Sequence, residues 1–184
     1  MKVILASASP RRRELLKYIF DDFDIIPADV DESLNDDIKA ENAAKYLAVR
    51  KAEYISEKYP DALVIGSDTT VVINGEILGK PADKEDAENM LFKLSGKTHK
   101  VITGVCICKE GRTRSFSEVT EVVFFNLKKE EIDDYLKSDE WSDKAGAYGI
   151  QGKAGLFVEK INGDYNNVVG LPVARLNREL KEFL

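Results

Sequence analysis

Residues 63–81, LVIGSDTTVVINGEILGKP, decide how this chain is read. Leu63, Val64, Ile65, Val71, Val72 and Ile73 make the stretch apolar and β-branched enough for a buried strand. Asn74-Gly75 then supplies the dipeptide that a two-residue hairpin turn favours, because both positions tolerate positive φ. Inside the strand stands one acid, Asp68. A carboxylate buried without donors or a cation costs on the order of several kcal/mol, so its surroundings must supply them. Two readings are open at this point. Asp68 is either a core acid satisfied by backbone amides or part of a metal-phosphate site, to which Gly79-Lys80-Pro81 would return a cation, Lys80.

Working outward, residues 3–6 read as a short buried strand, and Ser9-Pro10 as a helix start with Ser as cap and Pro in the first turn. That helix is expected to run to about Phe20, followed by a short strand over 23–27 and an acidic stretch. A long helix is expected over 40–59. On a wheel of 100° per residue, Ala44, Leu47, Ala48 and Ile55 share one stripe, with Lys51 in its middle. Lys51 either snorkels out of the stripe or points inward at an anion. A helix over 82–94 ending at Ser95-Gly96, strands over 99–109 and 113–125 around a Glu110-Gly111 turn, and a charged helix over 128–138 follow. Gly146, Gly149, Gly152 and Gly155 suit a loop that approaches another surface closely. A strand near 156–161 and a last helix from Pro172 to the end complete the chain. Strands and helices in this order predict one domain over residues 1–184 of mixed α/β (α+β) class.

Bulk properties narrow the function. The chain is 43% hydrophobic and 33% charged, with a net charge of -6. A negative field disfavours nucleic acid and anionic membranes, so neither is an expected partner, and any polyanion must meet a local basic cluster. No run reaches the roughly 20 apolar residues of a membrane span, and the apolar run near the start is too short for a signal peptide. A cytoplasmic protein is expected. Cys106 and Cys108 fall on one face of an apolar strand and read as buried thiols; with His99 the one histidine, zinc has no ligand set.

The basic cluster begins at Ser7-Ala8-Ser9-Pro10-Arg11-Arg12-Arg13. Cations oppose the dipole of a helix in its first turn, so an anion should justify them. A polyphosphate fits, and a neighbouring acidic surface such as residues 29–37 is the alternative. Asp68 and an acid of the 29–32 group, Glu32 among them, could hold a divalent ion through oxygen; for Glu32 alone a solvated position is the plainer reading. Ser95-Gly96-Lys97-Thr98 imitates the end of a phosphate-binding loop, but the required first glycine falls on Leu91, so it is read as a helix-terminating turn. His99 lies beside lysines and both cysteines look like core, which leaves little support for a nucleophilic pair. Arg11, Arg12, Lys51 and Lys80 around Asp68 suit phosphoryl chemistry with metal-activated water.

Assembled, the motifs ASASPRRRELL, RKAEYI, GSDTTVVINGEILGKP, LSGKTHKVITGV, DKAGAYGIQG and INGDYNNVVGLP resemble the Maf (septum formation inhibitor) family of nucleoside triphosphate pyrophosphatases nearly end to end. The resemblance implies an inosine triphosphate pyrophosphatase-like fold, with a long curved mixed sheet flanked by helices and two lobes around a central cleft. It implies hydrolysis of a nucleoside triphosphate to monophosphate and pyrophosphate with a divalent cation, Mg²⁺ or Mn²⁺. A homodimer is open to such a chain, as is a role in arresting cell division. Carried over by position, Asp68 is the general base, with Ser7, Arg11, Arg12, Glu32, Lys51 and Lys80 binding substrate and Asp68 and Glu32 the metal. Arg11, Thr69 and Gln151 match the family positions that separate substrate classes, in the pattern of the dTTP/UTP group. The 7-methyl-GTP group carries other residues there. A neutral Gln amide both donates and accepts, which suits a pyrimidine edge. Two other readings are a 7-methyl-GTP pyrophosphatase and a nucleotide-binding regulator of septum formation with little hydrolysis. On a regular strand Asp68 and Thr69 face opposite sides, so the strand is expected to bend or end there if both touch substrate.

Overall fold

Apolar runs of the sequence become the strands of a mixed seven-stranded sheet in the computed structural model, which describes residues 1–184. The strands are β1 (Val3–Leu5), β2 (Asp24–Ile25), β3 (Leu63–Ile73), β4 (Glu76–Leu78), β5 (Thr98–Lys109), β6 (Arg112–Phe124) and β7 (Val158–Asn162), in the order β2-β1-β3-β5-β6-β7 with β4 paired to β3. The helices are α1 (Pro10–Leu16), α2 (Ala40–Lys58), α3 (Lys84–Leu94), α4 (Lys129–Tyr135), α5 (Tyr165–Val169) and α6 (Val173–Glu179). No helix is long and apolar enough to cross a membrane.

The chain divides into two compact units. One comprises Met1–Thr69, Thr103–Glu118 and Gly170–Leu184, the other Thr70–Ile102 and Val119–Val169. In the first unit β1 is parallel to both β2 and β3, Leu5 standing opposite Ile25 and Ile65. Its core gathers Ile4, Val64, Cys106 and Cys108 from strands, Ala6 just past β1, and Ala48, Ala52 and Ile55 from α2. The α2 backbone comes unusually near the strands because two glycines lie beneath it. A Cβ on Gly66 would stand 2.4 Å from the Ala48 carbonyl oxygen, and one on Gly104 would stand 2.3 Å from the Lys45 amide. In the second unit Leu91 and Leu94 of α3 pack with Phe124, Ile132, Tyr135, Tyr148 and Phe157.

Three departures from the sequence reading are the largest; in addition α4 stops at Tyr135, short of the expected 138, and β7 begins at Val158 instead of 156. The first helix stops at Leu16, not near Phe20, and continues as turns from Tyr18 N–H to Leu15 O and Ile19 N–H to Leu16 O. The last helix ends at Glu179 and tightens into a 3-10 turn over Leu180–Glu182. The third departure is α5, which carries no apolar period in INGDYNNVVG. Asp164 starts it, its Oδ1 accepting from Asn166 N–H at 2.7 Å. The hairpin turns behave as read: Asn74 and Gly75 have φ of 51° and 78°, and Glu110 and Gly111 of 50° and 76°.

Candidate active site

β3 runs unbroken through Asp68 and Thr69, and its period of two gives each of its faces a separate task. Gly66 and Asp68 face α2. Ala48 and Ala52 sit over Gly66, and the residue before Ala52, Lys51, reaches Asp68, its Nζ donating to Oδ1 at 2.7 Å. The same Nζ lies 2.7 Å from Oε1 of Glu32. The Lys51 side chain is 11% exposed and that of Asp68 14%, whereas Glu32 is 59% exposed. Asp68 is therefore an acid with a cation partner, Lys51 points inward, and Glu32 keeps the solvated loop position expected for it while sharing that cation. Two carboxylates against one ammonium leave a net negative charge.

Ser67 and Thr69 occupy the opposite face. Ser67 Oγ donates to the Gly170 carbonyl at 3.3 Å, and Thr69 Oγ1 lies 2.9 Å from Thr103 Oγ1 on β5. Arg12 closes the arrangement. Its Nε donates to the Gly170 carbonyl at 2.9 Å, one terminal nitrogen to Ser7 Oγ at 3.1 Å and the other to Thr69 Oγ1 at 2.9 Å. Gly170 is held at φ 134°, a backbone conformation in which other residues are strained, so its carbonyl can be offered to both donors. Ser7 Oγ also accepts from the Ser9 N–H at 3.3 Å, and Ser9 Oγ from the Arg12 N–H at 3.4 Å, which caps α1.

Arg12 thus bonds three neutral acceptors where the sequence had offered residues 29–37 as alternative partners. Burial pushes its guanidinium below the ordinary value, while Asp68 and, more weakly, Glu32 pull it back up. A half-buried cation whose hydrogen bonds go to neutral acceptors keeps part of its field available to an incoming anion.

Ser7, Arg12, Glu32, Lys51, Asp68 and Thr69 belong to one unit, and Arg11 lies half-buried beside them on α1. The strand does not end or bend at Asp68-Thr69. Instead its pairing with β1 stops at Ile65, apart from the Ala6 N–H bond to the Ile65 carbonyl, and β4 pairs only from Val71. The edge of β3 between them is open at the two residues of interest, so a ligand at that edge can address side chains on both faces. This is the carboxyl end of parallel strand β1, where open α/β sheets bind ligands.

Lys80 and Gln151 belong to the second unit, and both are exposed. Lys80 follows Gly79, whose carbonyl accepts from the Gly146 N–H at 3.0 Å. Gln151 stands on the glycine-rich loop, which is anchored at its base. Tyr135 Oη donates to the Ala147 carbonyl at 3.1 Å, and His99 Nε2 lies 2.7 Å from Tyr148 Oη. Burial pushes His99 down to about 4 and Tyr148 upward, so this histidine is a neutral structural partner. The Ser95-Gly96 turn ends α3 as read, Ser95 N–H bonding the Leu91 carbonyl at 2.9 Å and Gly96 adopting φ 65°. Cys106 and Cys108 are buried with sulfurs 3.8 Å apart; their contact raises the Cys106 thiol and, with Thr113, lowers that of Cys108 to about 7.

Sequence reasoning missed Gly170 and Thr103. The motifs VVGLP and THKVITGV contain them, yet nothing local marks a glycine carbonyl or a strand threonine as a partner of Arg12 and Thr69.

Asp68 and Glu32 offer hard oxygen donors, the kind Mg²⁺ and Mn²⁺ prefer. The chain arranges no group of three or more His, Cys, Asp or Glu side chains for a metal. A cation held by two carboxylates leaves its other positions to phosphate oxygens and water, which is how Mg²⁺ is bound in nucleotide sites. The residues present fit such an ion.

A curated dTTP/UTP pyrophosphatase of Bacillus cereus (strain G9842) is 50% identical over 182 residues, covering 99% of this chain and 95% of that protein. Proteins of the same name from Bacillus anthracis and Bacillus mycoides (strain KBAB4) are 50% and 49% identical over the same shares. Among solved structures, the Staphylococcus aureus Ham1 protein superimposes with a TM-score of 0.61 at 18% identity, covering 100% of both chains. A HAM1 protein from Coxiella burnetii gives 0.56 at 14% identity over 99% of both. These two share the fold. The model of the Maf family, described as Maf-like protein, matches residues 2–183. The chain belongs to the Maf family.

Proposed function

We propose that this chain is a nucleoside triphosphate pyrophosphatase that hydrolyses dTTP and UTP to the monophosphate and pyrophosphate. The observation that carries the proposal is 50% identity to dTTP/UTP pyrophosphatases across 99% of the chain. The pairing of Asp68 with Lys51, in the same unit as a half-buried arginine hydrogen-bonded to neutral acceptors, supports it from the chemistry of the site.

Water attacks the α-phosphorus in line with the departing pyrophosphate. Asp68 is the general base; its Oδ1 is engaged by Lys51, which leaves Oδ2 to take the proton. Asp68 and Glu32 would hold Mg²⁺ or Mn²⁺, which when bound lowers the pKa of a coordinated water and offsets phosphate charge. Arg12, fixed at three points, presents its guanidinium without having to be ordered on binding, and Ser7 shares its position. Arg11, Lys51 and Lys80 neutralise the triphosphate. Arg11, Thr69 and Gln151 set the preference for a pyrimidine. The buried free thiols support a reducing cytoplasm.

Phosphorus NMR of a dTTP digest tests the reaction. Pyrophosphate and dTMP are expected; orthophosphate as the first product overturns it. Rates for dTTP, UTP and 7-methyl-GTP measured side by side test the substrate class, and a preference for 7-methyl-GTP removes the pyrimidine assignment. Asp68→Asn should lose most of kcat with the fold retained, and an active Asn variant removes Asp68 from the base role.

A further inference from the structure

The structure assigns to Thr103 a positioning role in substrate selection, exerted through the hydroxyl of Thr69. This rests on the reading of Thr69 as a selectivity position. Thr103 is fully buried on β5. Its neighbour Gly104 lies under the α2 backbone, so Thr103 points to the other face, which it shares with Ser67 and Thr69.

Hydrogen-bond valence limits what Thr69 can offer a ligand. A threonine hydroxyl has one proton and two lone pairs. Arginine only donates, so the Arg12 bond at 2.9 Å uses one lone pair of Thr69 Oγ1. The Thr103 hydroxyl, also at 2.9 Å, uses a second valence. One remains for a ligand. If Thr103 donates, Thr69 presents its proton, which suits a carbonyl oxygen; if Thr103 accepts, Thr69 presents a lone pair, which suits an N–H. Thr103 therefore sets the sense in which Thr69 meets a base. Arg12 cannot do this, because its bond to Thr69 has one polarity whatever the ligand. Thymine and uracil offer two carbonyl oxygens and one N–H on the edge that a purine arranges differently, so fixing one sense at Thr69 discriminates between them.

The test is a double-mutant cycle on the full chain. The ratio of kcat/KM for dTTP to that for 7-methyl-GTP is measured for wild type, Thr103→Val, Thr103→Ser, Thr69→Val and the Thr69→Val/Thr103→Val double variant. Thr103→Val keeps the shape and removes the hydroxyl. It is expected to lower the ratio about fivefold, the equivalent of one hydrogen bond, chiefly through KM. Thr103→Ser is expected to preserve the ratio, and the double variant to match Thr69→Val alone. A wild-type ratio in Thr103→Val with a shifted one in Thr69→Val overturns the role of Thr103 and spares that of Thr69. Additive effects in the double variant also overturn it, since Thr103 then acts without Thr69. An unchanged ratio in Thr69→Val overturns the selectivity reading of Thr69 and the proposal with it. Thermal melts establish that each variant is folded, and Thr103→Ala takes the place of Thr103→Val in the cycle if the latter does not fold.

Discussion

Gly66 and Asp68 share one face of β3, and the missing side chain of the first brings a cation to the second. A Cβ at Gly66 would lie 2.4 Å from the Ala48 carbonyl oxygen and 2.8 Å from the Ala52 amide, both backbone atoms that cannot rotate away. With hydrogen there instead, α2 settles close to the strands, and Lys51, one residue before Ala52, reaches Oδ1 of Asp68 at 2.7 Å. The GSD triplet joins a packing device to the acid proposed as the general base.

Gly66→Ala should therefore damage stability and activity together. Overpacking of this kind costs about 1–3 kcal/mol, with a rigid helix backbone at the upper end. Urea midpoints and kcat are both expected to fall. Gly79→Ala is the control, since a Cβ added there would meet nothing within 4 Å and its midpoint should hold. An unshifted midpoint for Gly66→Ala would mean that α2 can move freely.

Lys51→Met should separate the two roles of that ammonium. Activity is expected to drop by about a hundredfold or more as phosphate neutralisation is lost. The two carboxylates lose their shared cation, so nucleotide-free protein should bind Mn²⁺ roughly tenfold more tightly, read from the free-ion signal in electron paramagnetic resonance. Unchanged Mn²⁺ affinity would show that Lys51 and the metal do not share Asp68 and Glu32.

Arg12→Lys keeps the charge but cannot keep the geometry. A lysine offers one nitrogen where the guanidinium bonds Ser7, Thr69 and Gly170 in three directions. A fall in kcat/KM of about a hundredfold is expected, with a loss of stability of about 1–2 kcal/mol from the released carbonyl and hydroxyls. If Arg12→Lys were fully active, charge alone would account for its role.

Acid should weaken the fold through His99. Burial holds its folded pKa near 4, against an ordinary 6.5, so the unfolded chain binds the proton first. Stability from this group is complete above about pH 6.5 and declines as pH falls towards 4, by up to about 1.4 kcal/mol per pH unit. His99→Gln should be less stable at pH 7.5, where the neutral ring packs against Phe124 and Tyr148, yet lose less between pH 6.5 and 4.5. Urea melts of both proteins across that range make the comparison, with the carboxylates common to the two. Parallel slopes would remove His99 as the cause.

Local chemistry made much of the fold legible. Runs such as VITGVCIC and LVIGSDTTVVI could only be strands, and Asn74-Gly75 turned where positive φ was tolerated. The five-residue α5 escaped because a single turn has no period to read and depends on the Asp164 carboxylate accepting from Asn166. Lys51 and Asp68 were each conspicuous, an ion in an apolar stripe and an acid in an apolar run, and each needed a partner. Their meeting was the simplest solution, though neither residue named the other.

What the sequence by itself determined was the set of elements, the acids and cations available, and the family motifs that tie them to nucleotide chemistry. Period two along β3 also determined that Asp68 and Thr69 face opposite ways. Tertiary structure alone decided what each face meets. Arg12 finds Thr69 across 57 positions of sequence and Gly170 across 158, and Thr103 arrives from a neighbouring strand. Such partners are chosen by which strands adjoin and where β1 stops. Those depend on burial summed over the whole sheet, whereas a motif carries only the geometry of its own few residues.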